Sequence, residues 1–438
     1  MDPKILFTTV YRNKGRHDYF EANSRNTVFR FSIPRIRSLG LRFIKQNIPE
    51  IEILEYPTWE EYKKAIKKQH WDIVGFSFYV DEIPEILQMI KYARENGVEE
   101  IWGGNYGALT EEIEEYFDWI CIGYGEEEIA KKLGIKIKEV VHPPLIGYLG
   151  TPLGLKLTPF GYLFTSRGCN KKCIFCQTPI FCKKPSKLPL SSIERVLSYY
   201  KSIGIDQLVM PEENFGMFKK HSEEVVELLG EYGFYWIVMT RADTLNENLS
   251  FWLENGFNGA GIGIETLSQQ IMDEIGKKER VEEVTEAVEN LHRLNRMVVG
   301  FFMVGYENDT KQSIKRSTME LAKFKLDLAQ ICVLTPFPKT PLWSYIQEKY
   351  GIFEKDWHKF NTKHLVWNHP HISPKEMERL LSWIFRQVHP RTNPLRTTFK
   401  FMKRYSDAHQ NVIKGLLYMA RQVMQANTFA YYRDEYIT

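Results

Sequence analysis

Three cysteines fall within eight residues, Cys169, Cys173 and Cys176, in the run Arg167-Gly168-Cys169-Asn170-Lys171-Lys172-Cys173-Ile174-Phe175-Cys176. Two gaps of unequal length let one loop wrap its thiolates around three corners of a compact metal cluster. A [4Fe-4S] cubane ordinarily takes four thiolates, so three from one loop leave one iron open to a small chelating molecule. The competing reading is a structural zinc site with Cys182 as fourth ligand, although zinc motifs more often bring cysteines in two close pairs on separate turns.

With an aromatic residue before the last cysteine, this loop resembles the cluster loop of the radical S-adenosylmethionine (radical SAM) superfamily. The resemblance implies an open iron that holds the amino and carboxylate groups of SAM. It also implies one-electron cleavage of SAM to methionine and a 5′-deoxyadenosyl radical, with an electron donor such as flavodoxin or ferredoxin.

The elements that must position this loop follow from the rest of the chain. Its 438 residues, 43% hydrophobic and 26% charged, suit a soluble globular protein with a sizeable core. No apolar run approaches the roughly 20 residues of a membrane span, and Met1-Asp2-Pro3-Lys4 has no signal-peptide pattern. Six cysteines, half of them in one loop, argue against a disulfide framework and for a reducing, cytoplasmic compartment. Net charge is +3, but from Arg386 to Thr438 nine Lys/Arg face three Asp/Glu, a local balance of +6. Nothing in this pattern points to a nucleic-acid partner.

Short apolar runs alternate with helical patterns over the first 135 residues. Strands are expected at Ile5 to Val10, Ile51 to Tyr56, Asp72 to Val80, Glu100 to Trp102 and Trp119 to Gly123. Helices are expected near Pro34 to Gln46, Trp59 to Lys68, Ile83 to Glu95 and Glu111 to Tyr116. This alternation predicts an α/β domain over 1–141 with a doubly wound, Rossmann-like parallel sheet, whose ligands bind at the carboxyl ends of the strands. A Pro/Gly-rich linker over 142–158 follows. A second series over 159–350 predicts a partial or full (β/α) barrel with strands Gly161 to Thr165, Gln207 to Met210, Tyr235 to Thr240, Ala260 to Ile264, Val298 to Val304 and Ala329 to Leu334. Ser191 and Glu194 are expected to cap the first barrel helix.

Both series together resemble the cobalamin-binding class of radical SAM enzymes, in which a Rossmann-like corrinoid domain precedes a partial (β/α)6 barrel. Gly103-Gly104-Asn105 and Gly123-Tyr124-Gly125-Glu126 are similar to its Gly-Gly-x-His and Gly-Glu-Gly-Glu segments; Glu212-Glu213-Asn214-Phe215 is similar to its paired-acid strand end. Gly263-Ile264-Glu265, Phe302-Met303-Val304-Gly305 and Pro336-Phe337-Pro338-Lys339-Thr340-Pro341 follow in the class order. Asn105 and Tyr124 depart from the pattern, and no Asp-x-His-x-x-Gly marks a histidine for cobalt; His17 lacks the spacing.

The resemblance implies SAM contacts by Phe175, Glu212, Glu213, Arg241, Glu265 and Gly305, with Arg241 pairing bidentately with the SAM carboxylate. It implies cobalamin contacts by Ser77, Gly103, Gly104, Gly123 and Gly125, where bulky side chains would block a flat corrinoid. Cys182 and Cys332 read as buried small hydrophobes. The implied activity is cobalamin-dependent methylation of an unactivated carbon on a small, hydrophobic or lipid substrate. Its alternatives are cobalamin-free radical coupling or rearrangement and, from another class, a zinc-stabilised binding module.

Past Tyr350 a helical region is expected over 351–438. Ser373-Pro374-Lys375-Glu376 reads as a capped helix start. A later helix near Asn411 to Ala426 puts Ile413, Leu416, Leu417, Ala420, Val423 and Met424 on one stripe. It packs over the barrel mouth or, as a basic amphipathic element, touches an anionic membrane peripherally.

Overall fold

The computed structural model describes residues 3–12, 37–150 and 156–388, with Ile413 and Leu417 alone beyond them. The first sheet holds β1 (Ile5–Thr9), β2 (Glu52–Leu54), β3 (Ile73–Ser77), β4 (Glu100–Gly104) and β5 (Trp119–Cys121), all parallel, in the order β2-β1-β3-β4-β5. Every residue of β1 is buried, as a parallel strand covered on both faces requires. The strand order reverses between β1 and β3, so the crevice for a ligand opens where Thr9 and Ser77 end their strands side by side. Helices Leu39–Asn47, Trp59–Ile66, Ile83–Glu95 and Gly125–Lys132 belong to this part of the chain. The second begins with a full capping box between Thr58 and Glu61, and the fourth opens at the glycine-rich segment after β5.

The stretch expected as a linker carries a strand. β6 (Ile146–Gly150) runs antiparallel to β7 (Lys156–Tyr162) and forms one edge of a seven-stranded sheet. A two-stranded clip, β8 (Ser166–Arg167) against β9 (Ser186–Lys187), stands apart from that sheet and closes the base of the cysteine loop. The remaining strands are β10 (Gln207–Met210), β11 (Tyr235–Thr240), β12 (Phe257–Glu265), β13 (Met297–Val304) and β14 (Leu328–Val333). They give the order β14-β13-β12-β11-β10-β7-β6, with every pair from β7 to β14 parallel. The sheet is an open half-barrel and not a closed one. Helices follow the strands and bury apolar stripes against them. Val284, Ala287, Val288 and Leu291 of helix Val281–Arg293 are one such stripe at helical spacing.

Two expected caps differ from the structure. Helix Leu190–Ser202 is preceded by Pro189 with no side-chain cap. The helix already begins at Leu190, so Ser191 lies inside it and the box expected from Ser191 and Glu194 does not form; the neighbouring Ser192 hydroxyl accepts the His142 N–H at 2.6 Å. At helix Pro374–Val388 the Ser373 hydroxyl does accept the Glu376 N–H at 3.3 Å, but the Glu376 carboxylate turns to Lys311 at 3.1 Å. That helix buries Met377, Leu380, Leu381, Ile384, Phe385 and Val388 and packs on helix Lys311–Lys323 and on β14. Of the expected later helix only Ile413 and Leu417 are described, both helical and about two-thirds exposed at 68% and 66%. The rest of that helix, and the membrane contact expected of it, lie outside the described residues.

Candidate active site where the two sheets meet

The cysteine loop leaves the β8–β9 clip through Gly168, whose φ of +77° suits glycine and whose absent Cβ would stand 2.6 Å from the Cys182 sulfur. The loop is then pinned from several sides. The Ile174 N–H donates to the Ile275 carbonyl at 3.1 Å, its carbonyl accepts from the Leu342 N–H at 3.0 Å, and the Gln177 amide donates to the Pro338 carbonyl at 3.2 Å. Within the loop the Cys176 N–H donates to the Cys173 carbonyl at 3.1 Å. Burial pushes the Cys173 thiol up to about 11, with Cys176 adding to the rise. Burial likewise raises Cys176, opposed by the Thr178 hydroxyl and reinforced by Cys169.

The three sulfurs are not spaced for one ion. Zn–S bonds of about 2.3 Å would set tetrahedral sulfurs about 3.8 Å apart. Among the described residues the group of three ligand atoms lying within 4.8 Å of one another is His70, Asp72 and Glu99, and the thiols form no such group. Wider separation suits thiolates on three different irons of a cubane. Cys182 stands apart, donating to the Lys184 carbonyl at 3.5 Å and packing with Leu109 and Phe181. The donor set thus fits a three-cysteine cluster and leaves out the fourth ligand that the zinc reading needs.

The rim acids separate by partner. Glu212 is buried and accepts from the Thr165 N–H and the Ser166 hydroxyl, both at 2.5 Å. Burial lifts its carboxyl to about 7 against those hydrogen bonds. It braces the base of the cysteine loop. Glu213 is exposed and accepts from the Tyr124 hydroxyl, which in turn accepts from the Gly168 N–H at 3.2 Å. Arg241, expected to clamp the SAM carboxylate, has its fork directed elsewhere: Nε and Nη2 to Asp243 at 2.9–3.1 Å, and Nη1 and Nη2 to the carbonyls of Lys277 and Lys278 at 2.9 Å. Glu265 ends β12 at a bulge with φ +57°, a conformation costly for a residue with a Cβ. Its side chain is 15% exposed and stands 3.6 Å from the Lys277 ammonium. Burial raises its carboxyl, and Lys277 opposes the rise. The Gly305 N–H donates to Asp309 at 2.9 Å in a turn with φ +86°. Phe175 lies half-buried against the core beside the cysteines.

The carboxyl edge of the first sheet faces this loop across several contacts. Arg167, the residue before Gly168, makes a bidentate pair with Glu126 at 2.8 and 2.8 Å, with side chains only 8% and 3% exposed. Its guanidinium also lies 4.7 Å from the ring centroids of both Phe43 and Tyr124. Tyr106 meets Phe181 at 4.5 Å between ring centroids and Thr178 at 3.1 Å. His142 is wholly buried: Nδ1 donates to the Pro143 carbonyl at 2.6 Å and Nε2 accepts the Phe164 N–H at 2.9 Å, which fixes a neutral ring. Burial lowers it to about 3; the Pro143 contact opposes and Arg167 assists.

The glycines expected to admit a corrinoid divide in two. A Cβ on Gly103 would meet the Phe117 ring at 2.8 Å, and one on Gly125 would meet Ile129 at 2.7 Å, so these two are explained by packing within the first domain. Gly104 has nothing nearer than 3.7 Å. Beside it the Asn105 amide donates to the Ser77 hydroxyl at 3.3 Å, and Gly123, at φ +108°, would put a Cβ 3.2 Å from the Phe181 carbonyl. Room for a side chain is thus left at Gly104, beside Ser77 and Asn105, whereas Gly103, Gly123 and Gly125 are closely packed by Phe117, Phe181 and Ile129. The sequence passed over Arg167, Glu126 and His142 as functional positions, although Arg167 and Glu126 lie inside motifs already singled out. Lys277 carried no signal, because Lys277-Lys278-Glu279-Arg280 reads as a solvated charge run.

Residues 163–320 match the family profile described as the Radical SAM superfamily. The chain is 24% identical over 394 residues to an uncharacterized methyltransferase of Pyrococcus horikoshii, covering 78% of this chain and 85% of that protein. It is 23% identical over 267 residues to bacteriochlorophyllide d C-12(1)-methyltransferase of Chlorobaculum tepidum, covering 58% of this chain and 57% of that protein. The solved structure of TsrM, a radical S-adenosylmethionine methyltransferase from Kitasatospora setae with cobalamin and a [4Fe-4S] cluster bound, shares the fold with a TM-score of 0.65 at 12% identity over 90% of both chains. Residues 163–320 therefore carry the radical SAM match, in an enzyme whose chain shares its two-sheet fold with that solved methyltransferase.

Proposed function

We propose that this enzyme is a cobalamin-dependent methyltransferase acting at an unactivated carbon of a small hydrophobic substrate, with a small redox protein as electron donor. The observation that carries the reading is the seating of the cysteine loop against the carboxyl edge of the first sheet, through Arg167–Glu126 and Gly168–Tyr124–Glu213. A flat cofactor along Gly104 and Ser77 would then adjoin the loop. The two named methyltransferases above support the reaction class, and bacteriochlorophyllide, as the namesake of one of them, supports a hydrophobic substrate.

When bound, the cluster supplies the electron that cleaves SAM, and the corrinoid supplies the methyl group. The chain's own groups bind and orient. Cys169, Cys173 and Cys176 would hold the cluster. Glu265, kept in place by Lys277 near Cys173, offers a carboxylate to the SAM ammonium. Glu213, oriented by Tyr124, suits a ribose hydroxyl, and Phe175 suits the adenine. Glu212 and Arg241 act at one remove: one braces Thr165 and Ser166, the other the Lys277–Lys278 carbonyls. Tyr306, buried with its hydroxyl 3.3 Å from the Glu265 carbonyl, helps exclude water from the barrel mouth.

A second reading, radical chemistry without cobalamin, is favoured by the packing explanation of Gly103 and Gly125. Anaerobic reconstitution with iron, sulfide and hydroxocobalamin decides between them. The reading expects one cluster, one corrinoid per chain, and 5′-deoxyadenosine release on reduction with SAM. A loaded cluster without corrinoid uptake selects the second reading. A loaded cluster that releases no deoxyadenosine under strong reductant refutes both.

A further inference from the structure

Lys277 is an ammonium with 5% of its side chain exposed, in a part of the chain where burial of a charge is expensive. Three oxygens hold it: the Gly263 carbonyl, Glu265 at 3.6 Å and Glu279 at 3.2 Å. Space is reserved for it as well. A Cβ on Gly263 would stand 2.8 Å from the Lys277 nitrogen and 2.4 Å from the Glu265 carboxylate, so a side chain there would displace the two charged ends from their present places.

The neighbouring backbone says what the charge is aimed at. Ile275 bonds to Ile174 at 3.1 Å, and a Cβ on Gly276 would lie 3.6 Å from the Lys172 carbonyl. Two successive residues before Lys277 therefore touch the residues on either side of Cys173. Glu279 does not neutralise Lys277 alone. Its Oε2 faces Lys277 at 3.2 Å, while its Oε1 caps helix Ala242–Glu254 by accepting the Ala242 and Asp243 N–H groups at 2.8 and 3.2 Å and stands 3.8 Å from Arg241.

Resting on the cluster assignment above, we infer that Lys277 and Glu265 form an opposed charge pair that sets the reduction potential of the cluster. The ammonium favours the more negative reduced state and the carboxylate disfavours it. Lys277 is thus a positioning residue that acts through its field on the cysteine loop.

The test is a redox titration of the reconstituted full-length enzyme without SAM, followed by electron paramagnetic resonance, with iron and sulfide measured in parallel. Lys277→Met should weaken one-electron reduction about tenfold, a fall of about 59 mV. Lys277→Arg should keep the wild-type midpoint, and Glu265→Gln should raise it. Unchanged midpoints in both Lys277→Met and Glu265→Gln overturn the inference, as does an arginine variant that falls as far as methionine. Should Lys277→Met fail to load iron, Glu265→Gln decides alone, and an unchanged midpoint there overturns the inference. A wild-type protein that binds no cluster refutes the cluster assignment instead, and this inference with it.

Discussion

Arg167→Ala is the sharpest perturbation of the junction between the sheets. The substitution removes two charge-assisted hydrogen bonds of 2.8 Å and leaves the Glu126 carboxylate, 3% exposed, without its cation. Breaking a buried pair from one side costs about 3–5 kcal/mol, because the surviving charge stays desolvated. Loss of the guanidinium from the Phe43 and Tyr124 faces adds about 1 kcal/mol. Arg167→Ala should therefore destabilise by about 4 kcal/mol or more, whereas the double variant Arg167→Leu with Glu126→Leu should cost about 2 kcal/mol or less, since neither charge remains. Urea unfolding followed by circular dichroism measures both, and iron retention after gel filtration reports the loop that begins one residue later. A single variant within about 1 kcal/mol of wild type, or a double variant as damaged as the singles combined, would refute the view that this pair is buried and mutually dependent.

Cys169→Ala, Cys173→Ala and Cys176→Ala should each abolish cluster loading, measured as iron and sulfide per chain, and Cys182→Ala should spare it. Acidification should weaken the fold through His142, whose folded value of about 3 lies below the ordinary 6.5. The unfolded chain binds the extra proton between those values, so stability is full above pH 6.5 and falls as pH drops through 3, by roughly 5 kcal/mol at the limit. His142→Leu should flatten that slope in urea titrations while costing about 1–3 kcal/mol at neutral pH for the stranded Phe164 N–H. Gly103→Val should destabilise the first sheet by driving into Phe117, and Gly104→Val should spare the fold but reduce hydroxocobalamin uptake, as thermal melts and absorption spectra of the two variants would show.

Much of the fold could be read along the chain because its strands are short apolar runs bounded by helices. β10, β11 and helix Ile83–Glu95 have the bounds the sequence suggested. The strand in the connector escaped because Ile146–Gly150 earns its conformation from pairing with β7, not from its own Pro/Gly-rich composition. The first barrel helix starts at Leu190 after Pro189, ahead of the expected cap Ser191, and its Ser192 meets His142 across 50 residues, a pairing that no local pattern encodes. At the site, cysteine spacing is a local property and was legible. Which acids face inward is not: Glu212 and Glu213 are adjacent letters, yet one is buried against Thr165 and the other is exposed under Tyr124. Arg241 has the right charge for a carboxylate clamp, but besides its near neighbour Asp243 it is engaged by the Lys277 and Lys278 carbonyls, which meet it only once β11 and the segment after β12 are brought together.

The strand in the connector also governs how the molecule can be cut. β6 covers the outer edge of β7, and the Tyr200 hydroxyl fastens the approach to it, accepting the Leu145 N–H at 2.8 Å and contacting the Leu145 and Tyr162 carbonyls at 3.1 and 2.8 Å. A fragment starting at β7 would bare a row of unpaired N–H and C=O groups and invite edge-to-edge self-association. It would also remove both Leu145 contacts of the Tyr200 hydroxyl, leaving the Tyr162 carbonyl alone, and deprive the Ser192 hydroxyl of His142. Proteolytic excision or recombinant expression of the catalytic half alone must therefore begin upstream of His142, and even then Arg167 is left without Glu126.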